Sequence, residues 1–201
     1  MLISWQGFNH FKLKNTKRSI IFNPYNLDNK TKLSKSKTDI ILFSNPQKIK
    51  EAKVDKNAFL ISSPGEYEVS DVFIYGREIA NNIIYYLLFD DLKIAFLGEF
   101  GHQGLSNGDL ELIEGSDILI LPVGGGELTT SKEAVKIISQ VEPRIVIPSC
   151  YQEGTFKLKT DNLITFIKDF GIKSEEVDKL KISKKDLPQD EVKLINLKIN
   201  K

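Results

Sequence analysis

Side chains able to do chemistry are few in this chain. Its 201 residues hold two histidines, His10 and His102, and a single cysteine, Cys150. A metal site with three or more imidazole ligands is therefore excluded within one chain. One of 27 acidic residues, Glu99, stands three residues before His102 in Gly98-Glu99-Phe100-Gly101-His102, and Cys150 is distant from both in sequence. These types permit two constellations. Glu99, His102 and Cys150 could together hold one metal ion, whose charge lowers the pKa of bound water. Alternatively, Cys150 serves as a nucleophile with His102 beside it.

Each residue also has a plainer reading. A lone cysteine is most often a buried, inert small hydrophobe. His102 lies in a glycine-rich loop and reads as a loop residue with ordinary hydrogen bonds. Glu99 can simply accept hydrogen bonds from nearby backbone, and His10 opens a strand and reads as structural. Gly124-Gly125-Gly126 is followed by no Lys-Ser/Thr, so a tight strand-to-helix turn is preferred over a phosphate cradle.

The elements that must position these groups follow from apolar patterning. Leu2 to Trp5, His10 to Lys14 and Ser19 to Phe22 read as short strands, with Asn15-Thr16-Lys17-Arg18 as a hairpin turn. Asn26 to Lys37 is polar and reads as an exposed loop. Asp39 to Phe43 is an uninterrupted apolar run, as expected of a strand covered on both faces. Lys48 to Val54 is read as a short helix. Phe59 to Ser62, Tyr67 to Val69, Val72 to Tyr75, Ile83 to Phe89 and Lys93 to Leu97 continue the β series, with Asp90-Asp91 as a tight turn. Beyond it the character changes. Asn107 to Ile113, Ser131 to Val141 and Asp161 to Phe170 read as helices, with Ser131 and Thr160 as N-caps and Gly171 as a stop. Ile118 to Leu121, Arg144 to Ile147, Leu180 to Ile182 and Val192 to Leu197 read as strands. A β-rich half followed by alternating helices and strands suits an α/β sandwich better than a doubly wound fold. No repeat or linker divides 1–201, so one domain is expected.

Composition narrows the function classes. A net charge of +1 gives no global field for nucleic acid or anionic membrane. The lysines between Lys30 and Lys37 and between Lys179 and Lys185 read as solvated surface. The N-terminus lacks a signal-peptide pattern, and apolar runs such as Ile83 to Phe89 are of strand length. A single cysteine suits a reducing compartment. A cytoplasmic protein without a membrane partner is expected, and a nucleic-acid partner is disfavoured. A homo-oligomer stays open, with Tyr25, Tyr75 and Tyr151 taken as exposed aromatics.

Several segments together resemble the metallo-β-lactamase superfamily, and within it a small single-domain bacterial branch of Zn-dependent hydrolases. They are Ile3-Ser4-Trp5-Gln6-Gly7, Ile20-Ile21-Phe22-Asn23-Pro24, Pro64-Gly65-Glu66-Tyr67-Glu68, Phe96-Leu97-Gly98-Glu99, Ile120-Leu121-Pro122-Val123-Gly124 and Glu142-Pro143-Arg144-Ile145-Val146. The resemblance spans essentially the whole chain. It implies a four-layer αββα sandwich, two mixed β-sheets flanked by helices, with the active site on loops at one edge.

The same resemblance implies a ligand set, and here that set is degenerate. The family's first Asp falls at Asn23. Its cluster of three His and one Asp falls at Asn45, Gln47, Ile49 and Lys50, where a lysine is repulsive to a metal cation. Its next His is missing from Arg77 to Asn82, which looks shortened. The bridging Asp falls at Glu99 and the last His at Cys150. The resulting expectation is a fold kept without metal or other cofactor, as a non-catalytic binding or scaffolding homologue. A hydrolase with a site rebuilt from Glu99, His102 and Cys150 is the alternative.

Overall fold

Short apolar runs bounded by turn residues make nearly every element a strand. The computed structural model describes residues 1–25, 37–52, 56–153 and 159–200. Strands β1 (Leu2–Gly7), β2 (His10–Lys14), β3 (Ser19–Phe22), β4 (Ile40–Leu42) and β5 (Phe59–Ile61) come first. Next come β6 (Gly65–Val69), β7 (Val72–Ile79), β8 (Asn82–Phe89) and β9 (Leu92–Phe96). Three helices then alternate with β10 (Ile118–Pro122) and β11 (Ile145–Ser149): α1 (Asn107–Ile113), α2 (Ser131–Val141) and α3 (Leu163–Phe170). Strands β12 (Ser174–Val177), β13 (Leu180–Lys181) and β14 (Lys193–Leu197) close the chain.

Two mixed sheets result. One has the order β13-β1-β2-β3-β4-β5, the other β12-β14-β11-β10-β9-β8-β7-β6. In the first, β3, β4 and β5 run parallel, so their C-terminal ends share one edge. In the second, β9, β10, β11, β14 and β12 run parallel, and β6 to β9 form an antiparallel meander. The core between the sheets is filled by Trp5, Phe11, Phe22, Tyr85 and Phe96 among others, all nearly solvent-free. Phe22 and Phe96 meet across the sheets with ring centroids 4.2 Å apart. Burial of such aromatic area dominates the stability of a sandwich.

Helices α2 and α3 pack on one another, and α2 also packs on β10. The helix N-cap of α2 is Thr130, not Ser131, because Thr130 and Glu133 form a reciprocal capping box. Ser131 instead donates to Asp169 of α3. Asn162, not Thr160, caps α3, while Gly171 ends it with φ 74° as its lack of a Cβ allows. The loop expected over 26–37 lies outside the described residues apart from Lys37. The helix expected over 48–54 is a 3₁₀ segment, Pro46–Glu51, and residues 53 and 54 lie outside the described residues. Its Ile49, with Ala52, covers an outer patch of the first sheet made by Tyr25, Ile41 and Phe43. Tyr25 and Tyr151 are buried, at 3% and 1% exposure, so of the three aromatics expected at the surface only Tyr75 is accessible, and that partly. Among the described residues no helix is long and apolar enough to cross a membrane.

Candidate functional site at the strand ends

The loops after β3, β4, β9 and β11 converge at one edge of the sandwich, around Glu99. Their backbone turns sharply there. Phe8, Asn23 and Cys150 take left-handed φ values of 54°, 49° and 56°, and Gly98 takes 63°. For Phe8 and Cys150 this costs on the order of 1 kcal/mol each, which surrounding contacts must offset. Cys150 N–H donates to the Phe8 carbonyl at 3.1 Å and supplies one such contact.

Asn23 is fully buried and acts as a staple. Its Oδ1 accepts from Ser44 N–H at 2.8 Å and its Nδ2 donates to Ser44 Oγ at 2.9 Å, joining the ends of β3 and β4. Asn82 does the same for the second sheet. Its Oδ1 accepts from Glu99 N–H at 2.9 Å and its Nδ2 donates to the Leu97 carbonyl at 2.8 Å. Arg77 to Asn82, where the resemblance implied a missing histidine, spans the end of β7 and the two-residue turn Ala80-Asn81 into β8, with Ile79 opposite Asn82.

Glu99 is the hub. Lys48 Nζ lies 2.7 Å from its Oε1 and 2.8 Å from its Oε2. Asn45 Nδ2 donates to Oε2 at 3.3 Å, Asn9 Nδ2 to Oε1 at 3.2 Å, and the Tyr25 hydroxyl also donates to Oε1. Asn9 Nδ2 is shared, lying 2.7 Å from the Tyr25 hydroxyl oxygen. Burial, reinforced by the Glu99 carboxylate, holds the Tyr25 phenol far above its ordinary pKa, so it remains a donor. The Lys48 ammonium also sits 5.0 Å from the Tyr25 ring centroid and 6.0 Å from that of Phe8, within cation–π range. The ion pair is largely screened from water, with side chains 27% and 12% exposed.

The cation in this site belongs to Lys48 and not to Lys50. Three residues per turn of a 3₁₀ segment explain it. Asn45 and Lys48 are one turn apart and face Glu99. Gln47 and Lys50, also one turn apart, are exposed. Ile49 and Ala52 form the apolar face. Of the four positions matched to the histidine cluster, only Asn45 touches the hub.

Of the remaining candidates, Cys150 lies close enough to feel the charge of Glu99 without a hydrogen bond to it, and His102 bonds elsewhere. Cys150 is fully buried, and its thiol lies 3.7 Å from the Gly98 carbonyl. Burial, and then the negative charge of Glu99, push its pKa far up, so it stays a neutral thiol rather than a nucleophile. His102 is turned to other partners. Its Nδ1 is 2.9 Å from Glu133 Oε2 and its Nε2 is 2.8 Å from the Gly126 carbonyl. The Gly126 carbonyl and Glu133 raise its pKa by favouring the imidazolium, which donates at both nitrogens. His10 is the opposite case: burial and then Lys12 lower its pKa to about 4, leaving it neutral.

The residues present do not fit the zinc that this fold family carries. Among the described residues, no group of three or more His, Cys, Asp or Glu side chains is arranged to hold a metal ion. The single carboxylate is already neutralised by an ammonium, and the thiol is protonated. Asn9 Oδ1 is a buried acceptor without a hydrogen-bond partner, but one amide oxygen does not make up a set of three or four ligands. Sequence reasoning missed Asn9, Asn82 and Lys48. Only Lys48, inside the matched cluster, carried a signal, its charge.

Two mixed sheets face to face, helices outside and converging strand-end loops define an αββα sandwich. The sequence model of the Beta-lactamase superfamily domain matches residues 2–149, and the chain belongs to that family. A UPF0173 protein of Pyrococcus abyssi is 26% identical over 186 residues, spanning 78% of this chain and 85% of that protein. The crystal structure of a proposed Zn-dependent hydrolase of the metallo-β-lactamase superfamily from Thermotoga maritima superposes with a TM-score of 0.84 at 26% identity, covering 98% of each chain. The metallo-β-lactamase fold protein YhfI of Bacillus subtilis shares the fold alone, at 8% identity, a TM-score of 0.63, and 98% and 96% coverage.

Proposed function

We propose that this chain is a non-catalytic member of its superfamily, a binding or scaffolding module of the cytoplasm in which a lysine has taken the electrostatic place of a metal. The observation that carries the reading is the Lys48–Glu99 ion pair at 2.7 and 2.8 Å. A carboxylate at a metal-bridging position needs a cation beside it. Here the cation is covalently part of the chain, and so it is always present. An ammonium cannot accept a lone pair from water or polarise a scissile bond as a Lewis acid does. Asn23 and Asn45 keep hydrogen bonds at their positions but add no charge, which is consistent with a site retained for shape.

The test is metal content. Protein from zinc-supplemented growth, purified without chelator, should carry far less than one metal ion per chain by elemental analysis. Added Zn²⁺ should leave its unfolding temperature unchanged, because a ligand that does not bind the native state cannot stabilise it. Stoichiometric Zn²⁺, Mn²⁺ or Fe²⁺ in the purified protein would overturn the reading.

A further inference from the structure

At the opposite ends of the same strands lies a second feature. The N-terminal ends of β3, β4 and β5, with the β2–β3 turn, surround an open groove of about 600 Å³. Among the described residues, Lys14, Lys17, Arg18 and Lys37 line it, with Asp39 as the one carboxylate. Asp39 is committed to Ser19, accepting from its N–H at 2.7 Å and its hydroxyl at 3.2 Å. The salt bridges formed among the described residues include none to Lys14, Lys17, Arg18 or Lys37. Among the described residues, four cations against one occupied carboxylate stand out in a chain whose net charge is only +1. The concentration of charge is a property of the fold rather than of composition.

The turn that carries two of the cations is held in place. Asn15 Oδ1 accepts from the backbone N–H groups of Lys17 at 2.8 Å and Arg18 at 2.7 Å, fixing the turn. Arg18 Nε donates to the Ser70 carbonyl at 3.2 Å, which anchors its guanidinium. The groove also has an aromatic wall. Phe59 lines it and is 48% exposed, unusual for a phenylalanine in a sandwich strand. The volume is in the range of small-molecule sites and far larger than a single phosphate requires.

We propose that this groove binds a nucleoside di- or triphosphate, with the phosphates on Lys14, Lys17, Arg18 and Lys37 and the base on Phe59. Charge complementarity selects a polyanion, and the exposed ring selects one that carries a planar group. The proposal does not depend on the state of Glu99, which lies at the other end of β3 and β4, so either reading can fail alone.

The test is calorimetric titration of the full chain at low salt with ATP, inorganic pyrophosphate and adenosine. ATP should bind, pyrophosphate about tenfold more weakly for want of stacking, and adenosine not measurably. Added salt should weaken ATP binding as the ion contacts are screened. The double variant Lys17→Ala/Arg18→Ala should lose about tenfold or more in ATP affinity. Phe59→Ala should weaken ATP and leave pyrophosphate unchanged. The three substituted residues, Lys17, Arg18 and Phe59, are exposed or partly exposed, and circular dichroism with urea unfolding checks that the variants fold. Absence of ATP binding at millimolar nucleotide, equal affinity for ATP and pyrophosphate, or an unchanged affinity in the folded double variant would overturn the proposal.

Discussion

Asn45 and Lys48 stand one turn of a 3₁₀ segment apart, and both donate to the carboxylate of Glu99. The segment begins with Asn45 as its cap, whose Oδ1 accepts from Gln47 N–H at 3.1 Å while its Nδ2 reaches Glu99. One side chain thus both starts the turn and connects it to the hub. The turn in turn aims Lys48. Local backbone geometry and site electrostatics are set by the same pair of residues.

Removing the cation should be costly. Lys48→Ala leaves Glu99 in a mostly buried site without its counter-charge, and a loss of about 2–4 kcal/mol in urea unfolding is expected. The double variant Lys48→Met/Glu99→Gln removes both charges and should recover more than half of that loss. Methionine keeps most of the lysine stem, so equal losses in the single and double variants would mean that the uncompensated charge of Glu99 is not what costs stability.

Cys150 should be chemically silent. Its burial and raised pKa predict negligible reaction with a disulfide reagent at pH 8 in the folded protein, and one thiol per chain after denaturation. Rapid modification of the native protein would refute the picture of a neutral buried thiol.

The closeness of the two sheets at the site sets a further limit. A Cβ at Gly98 would collide with the Ser44 side chain and lie 2.8 Å from Asn82 Oδ1, at a φ that disfavours any side chain. Gly98→Ala should therefore cost about 3 kcal/mol or prevent folding, whereas Gly115→Ala, with open space around its Cβ, should lose only about 1 kcal/mol from its φ of 66°. Similar unfolding midpoints for the two variants would show that the loop of Gly98 is free to shift.

The two histidines should bend the pH profile of stability in opposite directions. His10 is held neutral, with its folded pKa at about 4 against 6.5 unfolded. Its contribution is complete above the unfolded value and is lost as pH falls from about 6.5 through 4, on the order of 2 kcal/mol for a ring that keeps some exposure. His102 has a raised folded pKa, so its smaller contribution is complete below the unfolded value and fades as pH rises through the folded one. His10→Gln should flatten the acid limb measured by urea unfolding, and His102→Gln the neutral-to-alkaline one. An unchanged acid limb in His10→Gln would assign that limb to carboxylates instead.

Much of the fold was legible because sheet burial writes itself as apolar runs. Ile118–Pro122 and Asn82–Phe89 lie where such runs predicted strands, and Asn15 to Arg18 forms the expected turn, closed by a 3.0 Å bond from Asn15 N–H to the Arg18 carbonyl. Strand β12 escaped notice because Ser174-Glu175-Glu176-Val177 is an edge strand with little to bury. Thr130 and Ser131 are equally good caps in composition, and only the reach of Glu133 decides between them. The site was legible as a pattern of losses but not as an arrangement. Nothing in the sequence brings Asn9 and Asn82, which are 73 residues apart, to one residue, Glu99, the first at its carboxylate and the second at its backbone N–H. Nor does the six-residue 3₁₀ segment announce a period of three, which is what separates Lys48 from Lys50.

The ion pair at the strand ends also has an evolutionary consequence. A histidine introduced at position 45, beside Glu99, would meet the Lys48 ammonium there. Loss of Lys48 alone would leave a bare carboxylate and a weakened fold. Each of these substitutions made alone is therefore expected to be unfavourable. On the function proposed above, Lys48 would act as a ratchet, since the carboxylate beside it is stable only with its built-in cation in place.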